Sequence, residues 1–260
     1  MHARWSSLAV VLFLGWPIGL SADLLIVEKS VLKAGDRSIE GVRSTYIKGT
    51  RMRIETAQEG KTLVTVYDLP AGEMLELDAE QRRANVRLVT ARNAKLEKEY
   101  PRRRTTATLT ATGSTHTVAG IPCDDYALTV RVPMTKSGEI AMILTGAACL
   151  AAEAPGMADY LTFAKAAADQ NLVLGQASDN LILLGFTRGQ TELYRVMSMQ
   201  GGVPLIVDLT ITVDGKGVLA GMVRRLVAGS RMTTATRLDT ADTASALYAV
   251  PAGWKRELKQ

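Results

Sequence analysis

The chain has 260 residues, with 31 Lys and Arg against 26 Asp and Glu, 47% hydrophobic side chains and only 5% aromatic ones. That length can bury a real core in one large domain or two small ones. The basic excess is mild and spread along the chain, which speaks against a nucleic-acid surface built on clustered charge.

Residues 1–22 read as a cleavable signal peptide. His2 and Arg4 form a short basic start, and Leu8 to Leu14 is an unbroken apolar run. Trp16-Pro17-Ile18-Gly19 breaks it, and Ser21-Ala22 supplies small residues before Asp23. The run is too short to anchor the chain in a bilayer. No Cys follows it to accept a lipid. Cleavage is expected after Ala22, leaving residues 23–260 as a single domain outside the cytoplasm.

Period-two alternation, the mark of half-buried strands, then dominates. Strands are predicted over Ser38 to Lys48, Thr50 to Ala57, Thr62 to Asp68, Glu73 to Asp78 and Ala84 to Thr90. Arg104 to Ala111 leads to a predicted turn at Thr112-Gly113-Ser114, and Thr115 to Ala119 returns from it. Asp124 to Val132 and Glu139 to Leu144 follow. Met157, Tyr160, Leu161, Ala164 and Ala168 recur at helical spacing after Pro155-Gly156. A second helix is predicted over Thr187 to Gln200, with Thr187 and Gln190 as a capping box and Gly201-Gly202 as its end. Thr191 to Met199 also reads as alternating. Val203 to Val213 is the clearest strand. Asp214-Gly215 predicts a hairpin returning through Val218 to Val227, and Arg231 to Leu238 completes a meander.

About ten or more strands with short turns predict antiparallel pairing. A sheet that long must cover one apolar face. The expected fold is therefore α+β, a strongly curved antiparallel sheet forming an open barrel, with two or so helices over its concave face. A loose helix layer would leave an apolar pocket beneath it.

The residue inventory offers little catalysis. With His2 in the signal, His116 is the one remaining histidine, too few for a multi-histidine zinc site. A serine relay would have to pair it with Ser114, in a tract that reads as a turn with a polar edge. Asp124-Asp125 would point to opposite strand faces and read as solvated strand-edge acids. Gly215-Lys216-Gly217 lacks the spacing and following helix of a phosphate loop. No catalytic, metal or cofactor residue is assigned. Cys123 and Cys149, an even pair in an exported chain, predict a disulfide, against two buried thiols or a redox pair. Arg102-Arg103-Arg104 reads as a solvated loop or as a contact for anionic headgroups. Met142, Met157, Met197, Met199, Met222 and Met232 either fill a core or line an adaptable cavity.

Four segments in order resemble an uncharacterised bacterial envelope family, a domain of unknown function. They are Tyr46 to Glu55, Thr117-Val118-Ala119-Gly120-Ile121-Pro122-Cys123-Asp124-Asp125-Tyr126, Gly201-Gly202-Val203-Pro204-Leu205 and Val250-Pro251-Ala252-Gly253-Trp254. The resemblance covers most of residues 38–256. That family is similar to the periplasmic lipoprotein-carrier (Lol-type) superfamily, which implies an open barrel with a helical lid over an apolar cavity. It implies a non-enzymatic carrier or chaperone of acyl chains, lipids or lipoproteins, with peripheral membrane contact. The aromatic residue before Gly-Val-Pro is absent and Trp254 replaces a common tyrosine. An envelope protein–protein interaction or sensor module is the alternative. Individual ligand-lining residues are not assigned by sequence.

Overall fold

The computed structural model describes residues 23–259, apart from 35–36, 59, 100, 102–103, 135–137 and 175–180. The expected signal peptide and Arg102-Arg103 of the arginine cluster lie outside the described residues. Twelve strands form one sheet: β1 (Asp23–Ala34), β2 (Arg37–Lys48), β3 (Arg51–Gln58), β4 (Lys61–Asp68), β5 (Glu73–Asp78), β6 (Arg83–Leu88), β7 (Thr106–Val118), β8 (Ile121–Pro133), β9 (Ala141–Ala151), β10 (Val203–Asp214), β11 (Arg231–Ala241) and β12 (Lys255–Leu258). Helices α1 (Val89–Glu99), α2 (Met157–Asp169), α3 (Leu181–Met199) and α4 (Val218–Leu226) complete the α+β fold.

The order across the sheet is β12-β6-β5-β4-β3-β2-β1-β11-β10-β9-β8-β7, and it does not close. Two meanders, β1 to β6 and β7 to β11, join where β1 pairs antiparallel with β11, Leu24 opposite Thr240 and Leu32 opposite Met232. β12 is the exception, pairing parallel with β6. Chain connectivity requires curvature. In a flat sheet, β6 and β7 would lie roughly 48 Å apart, ten strand spacings. The connection between them, α1 plus a short loop, reaches about 40 Å. The sheet therefore wraps, and α1 spans its open side. Leu96 of α1 joins the apolar cluster of Leu128, Val130, Leu144 and Leu209 on the other meander.

The period-two pattern explains the layers. On β4, Tyr67 faces the helices, as does Leu69 just after the strand, while Val64 and Val66 face away. The concave face carries α2 over β1 and β2, through Tyr160, Phe163 and Ala167 against Leu24, Ile47, Met52, Tyr67 and Met74. α3 lies over β7 to β10 and touches α2. Gly189 lets α3 lie close, since a Cβ there would sit 3.0 Å from Leu144 Cδ1 and 3.1 Å from Val132 Cγ2. Gly156, with φ 71°, turns the chain into α2, and a Cβ would meet Leu24 Cβ at 2.7 Å. The convex face of the first meander is covered by residues 245–254, with Tyr248 buried on Val66, Leu75 and Val86.

Three expectations are corrected, and one helix was not expected. Val218 to Val227 is not a strand: Ala220 and Val223, one helical turn apart, pack on Ile140 and Val213, and β11 pairs directly with β10. The second helix begins at Leu181, so Thr187 is buried inside it and is no cap. Its carbonyl accepts from Thr191 Oγ1 at 2.9 Å. Thr112-Gly113-Ser114 is a register shift within one long strand, not a turn. α1 was unforeseen because it buries little besides Val89 and Leu96, leaving no apolar stripe to read.

Candidate functional site

The space between the concave sheet and α2–α3 is the candidate site, and it is packed. A recess between the two helices has a volume of about 20 Å³, lined by Ala164, Ala167, Leu172, Thr191 and Tyr194 among others. That is room for about one water. Met142 and Met197 fill the core, Met157 and Met232 pack at its margin, and Met199 and Met222 are exposed. The last two are therefore not cavity-lining, because they project from helix faces directed at solvent.

Polar groups interrupt this apolar interior. The rings of Tyr160 and Tyr194 meet edge-on at 5.4 Å. Ser198 Oγ, on the same helix as Tyr194, lies 3.5 Å from Tyr160 Oη. The hydroxyl of Tyr194 is buried near both without a hydrogen bond of normal geometry. Burial pushes both phenols well above the ordinary tyrosine range, so both stay neutral. The Tyr194 hydroxyl is thus enclosed beside Tyr160 and Ser198 without a well-formed hydrogen bond, which is uncommon for a buried polar group.

Beside it, Glu28 of β1 and Arg43 of β2 are opposite in register and joined by two hydrogen bonds, one of 2.8 Å from Arg43 Nη2 to Glu28 Oε1. The register puts this pair on the same face as Ile26, Ile47 and Tyr67. Ile39 of β2 and Leu63 of β4 share that face and are 45% and 43% exposed, so the concave surface is open at this end. Arg43 stands at that mouth with its side chain 44% exposed. Sequence reading did not single out Tyr194, Glu28 or Arg43; only the cross-strand register and the helix docking bring them together.

α3 carries a second polar group. Arg188 and Glu192 are buried one turn apart, 3.7 Å between Nη1 and Oε1. Glu97 of α1 lies 3.0 Å from Arg188 Nη2, and Arg195 Nε 2.7 Å from Glu192 Oε2. This network ties α1 to the helix layer.

The predicted Cys123–Cys149 disulfide is present, joining β8 to β9. Over it, on the outer face, an open depression of about 350 Å³ is lined by His116, Asp125, Ala147, Ile206 and Asp208 among others. His116 Nδ1 lies 3.2 Å from Asp125 Oδ2. Asp125 is thus a half-buried residue facing His116 on an internal strand rather than a solvated edge acid, whereas Asp124 is exposed. Ser114 sits in the strand irregularity, its N–H donating to Thr112 Oγ1 at 3.3 Å. Cys149 Sγ also lies near the pair, but its sulfur is committed to the disulfide and offers no thiolate. A histidine and a carboxylate alone are too few for a zinc centre.

Fold and site define an α+β protein with a wrapped, unclosed sheet and a helix layer on its concave face. No protein-family model matches the chain, and no curated protein is similar to it in sequence. Among solved structures it is similar to PNGF-II, at 8% identity and TM-score 0.38, over 92% of this chain and 31% of that one. The chain thus spans about a third of that protein's length. It is similar to a LolA superfamily protein from Nitrosomonas europaea, at 8% identity and TM-score 0.32, over 88% and 91% of the two chains. It is also similar to a DUF1329 family protein from Desulfovibrio piger, at 12% identity and TM-score 0.25, over 89% and 91%. At these scores the overlap assigns neither family nor activity.

Proposed function

We propose that this chain is an exported, non-enzymatic binding or chaperone-like protein for an acyl chain, lipid or lipoprotein. The observation that carries the reading is the open end of the concave face at Ile39, Leu63 and Arg43, on the same face as Ile26, Ile47 and Tyr67, which pack in one apolar cluster with α2. The apolar chain would take the place of the underside of α2 against Leu24, Ile47, Met52 and Met74. α2 suits such displacement. Its ends are held by polar contacts, Gly49 N–H to Asp159 Oδ1 at 2.9 Å and Gln170 Nε2 to Leu69 O at 3.3 Å. Its buried face is half alanine. Each methylene moved from water into that space contributes about 0.8 kcal/mol. The Tyr194 hydroxyl would donate to a carbonyl, and Arg43 would meet an anionic head. The disulfide fits an oxidising compartment such as the periplasm.

The packed interior favours a second reading, an interaction or sensor module whose ligand is an envelope protein. Native mass spectrometry of protein purified from the periplasm separates the two. Bound lipid, and saturable binding of a fluorescent fatty acid weakened by Tyr194→Phe and Arg43→Ala, would support the carrier. A stoichiometric protein partner with no lipid would sink it.

A further inference from the structure

α4 is assembled with its smaller side chains inward. Ala220 and Val223 are buried on Ile140 and Val213, while Val218, Leu219 and Met222 are 83%, 55% and 59% exposed. Val218, Leu219, Met222 and Arg225 share one helical face by their spacing. A soluble surface helix normally puts such side chains inside. Exposed Lys216 precedes the helix and exposed Arg225 closes its outer face. Neither has an acidic partner within salt-bridge distance among the described residues. The nearby carboxylate, Asp214, is engaged by Arg131 at 3.5 Å.

We infer that α4 is a membrane-docking element, which lays Val218, Leu219 and Met222 into the headgroup boundary of an anionic bilayer while Lys216 and Arg225 meet lipid phosphates. Charge and size choose this occupant. Apolar side chains flanked by uncompensated cations match a surface that is apolar below and anionic above. Three apolar side chains fall short of the roughly 800 Å² per partner that a stable protein interface buries. Shallow insertion needs no more than such a patch and yields reversible binding. The inference stands apart from what the interior holds, and α4 lies on a different element from the arginine cluster where sequence placed a headgroup contact.

The test is co-sedimentation of the exported chain with vesicles of phosphatidylcholine, alone or mixed with phosphatidylglycerol. Binding is expected only to the mixed vesicles and should weaken as salt is raised. The Leu219→Ser/Met222→Ser double variant should bind about tenfold more weakly or worse. Lys216→Ser/Arg225→Ser should bind at least about fivefold more weakly. Leu258→Ser, at an exposed apolar residue elsewhere, should bind as the parent does. These side chains are exposed, so unchanged melting curves will show that the variants fold. As an independent readout, fluorescence of a Met222→Trp variant should shift to the blue on mixed vesicles. Parent-like binding by the Leu219/Met222 variant, or no vesicle binding by the parent, overturns the inference. So does a concentration-dependent dimer that the same variant abolishes without any vesicle binding.

Discussion

Asp23 is a buried carboxylate that gathers three donors on one oxygen. Its Oδ2 accepts from Thr243 N at 2.9 Å, from Lys48 Nζ at 3.1 Å and from Thr243 Oγ1. Thr243 Oγ1 is in turn 3.1 Å from the Tyr248 hydroxyl, which burial pushes up to about 12. This ties the first residue of β1 to the segment that covers the back of the sheet. Burial alone would raise the Asp23 pKa, but the hydrogen bonds from Thr243 and Lys48 outweigh it and hold the carboxyl below its ordinary value. A carboxylate with a depressed folded pKa contributes stability above its unfolded pKa and loses it as pH falls through the folded one. Asp23→Ala should therefore destabilise by about 2 kcal/mol near neutrality. The gap between variant and parent urea midpoints should shrink in acid; a gap that stays constant would count against the linkage. The cysteines act at the same scale. Neither thiol of the folded protein should react with a maleimide before reduction, and Cys123→Ala/Cys149→Ala should lose about 3 kcal/mol by the chain-entropy account.

Among the elements, α3 decides the most. Its Gly189 sets the approach to β8 and β9, and its buried Arg188–Glu192 pair sets the link to α1. Removing one member of a buried pair costs more than the pair contributes, because the other charge is left in a poor solvent. Glu192→Ala is expected to cost about 3 kcal/mol, and Arg188→Met/Glu192→Leu distinctly less. Chemical denaturation of both variants checks this, and equal losses would show that the charges are not coupled. α4 illustrates the opposite case: its core contact is small, so Leu219→Ser should leave the melting temperature unchanged while altering membrane behaviour.

For the whole molecule, the sheet is continuous from β12 to β7 and both meanders share one helix layer. We propose that residues 23–259 form one cooperative domain. Calorimetry should then show a single transition whose calorimetric and van't Hoff enthalpies agree. Two resolved transitions would divide the molecule at the β1–β11 seam. Loading an acyl ligand should raise the transition temperature in proportion to the logarithm of ligand concentration.

Local physics was legible in the chain. Alternation of apolar residues marked β2 to β5, β8 and β10, because a pleated strand repeats every second residue. The spacing of Tyr160 and Ala164 after Gly156 marked α2, and the two cysteines marked their bond. The α+β class followed, since an apolar sheet face needs helices over it. What tertiary structure alone decided was everything set by partners distant in sequence. Asp23 to Ala34 become a strand by pairing with Arg231 to Ala241, some two hundred residues away. Val218 to Leu226 fits either period, and packing on Ile140 and Val213 selects the helix. Whether the expected pocket exists depends on how closely α2 and α3 settle on the sheet, and there buried side chains of both layers pack into shared apolar clusters. The enclosure of the Tyr194 hydroxyl beside Tyr160 and Ser198 is likewise a product of that docking, because hydrogen-bond satisfaction belongs to the folded neighbourhood and not to any local pattern.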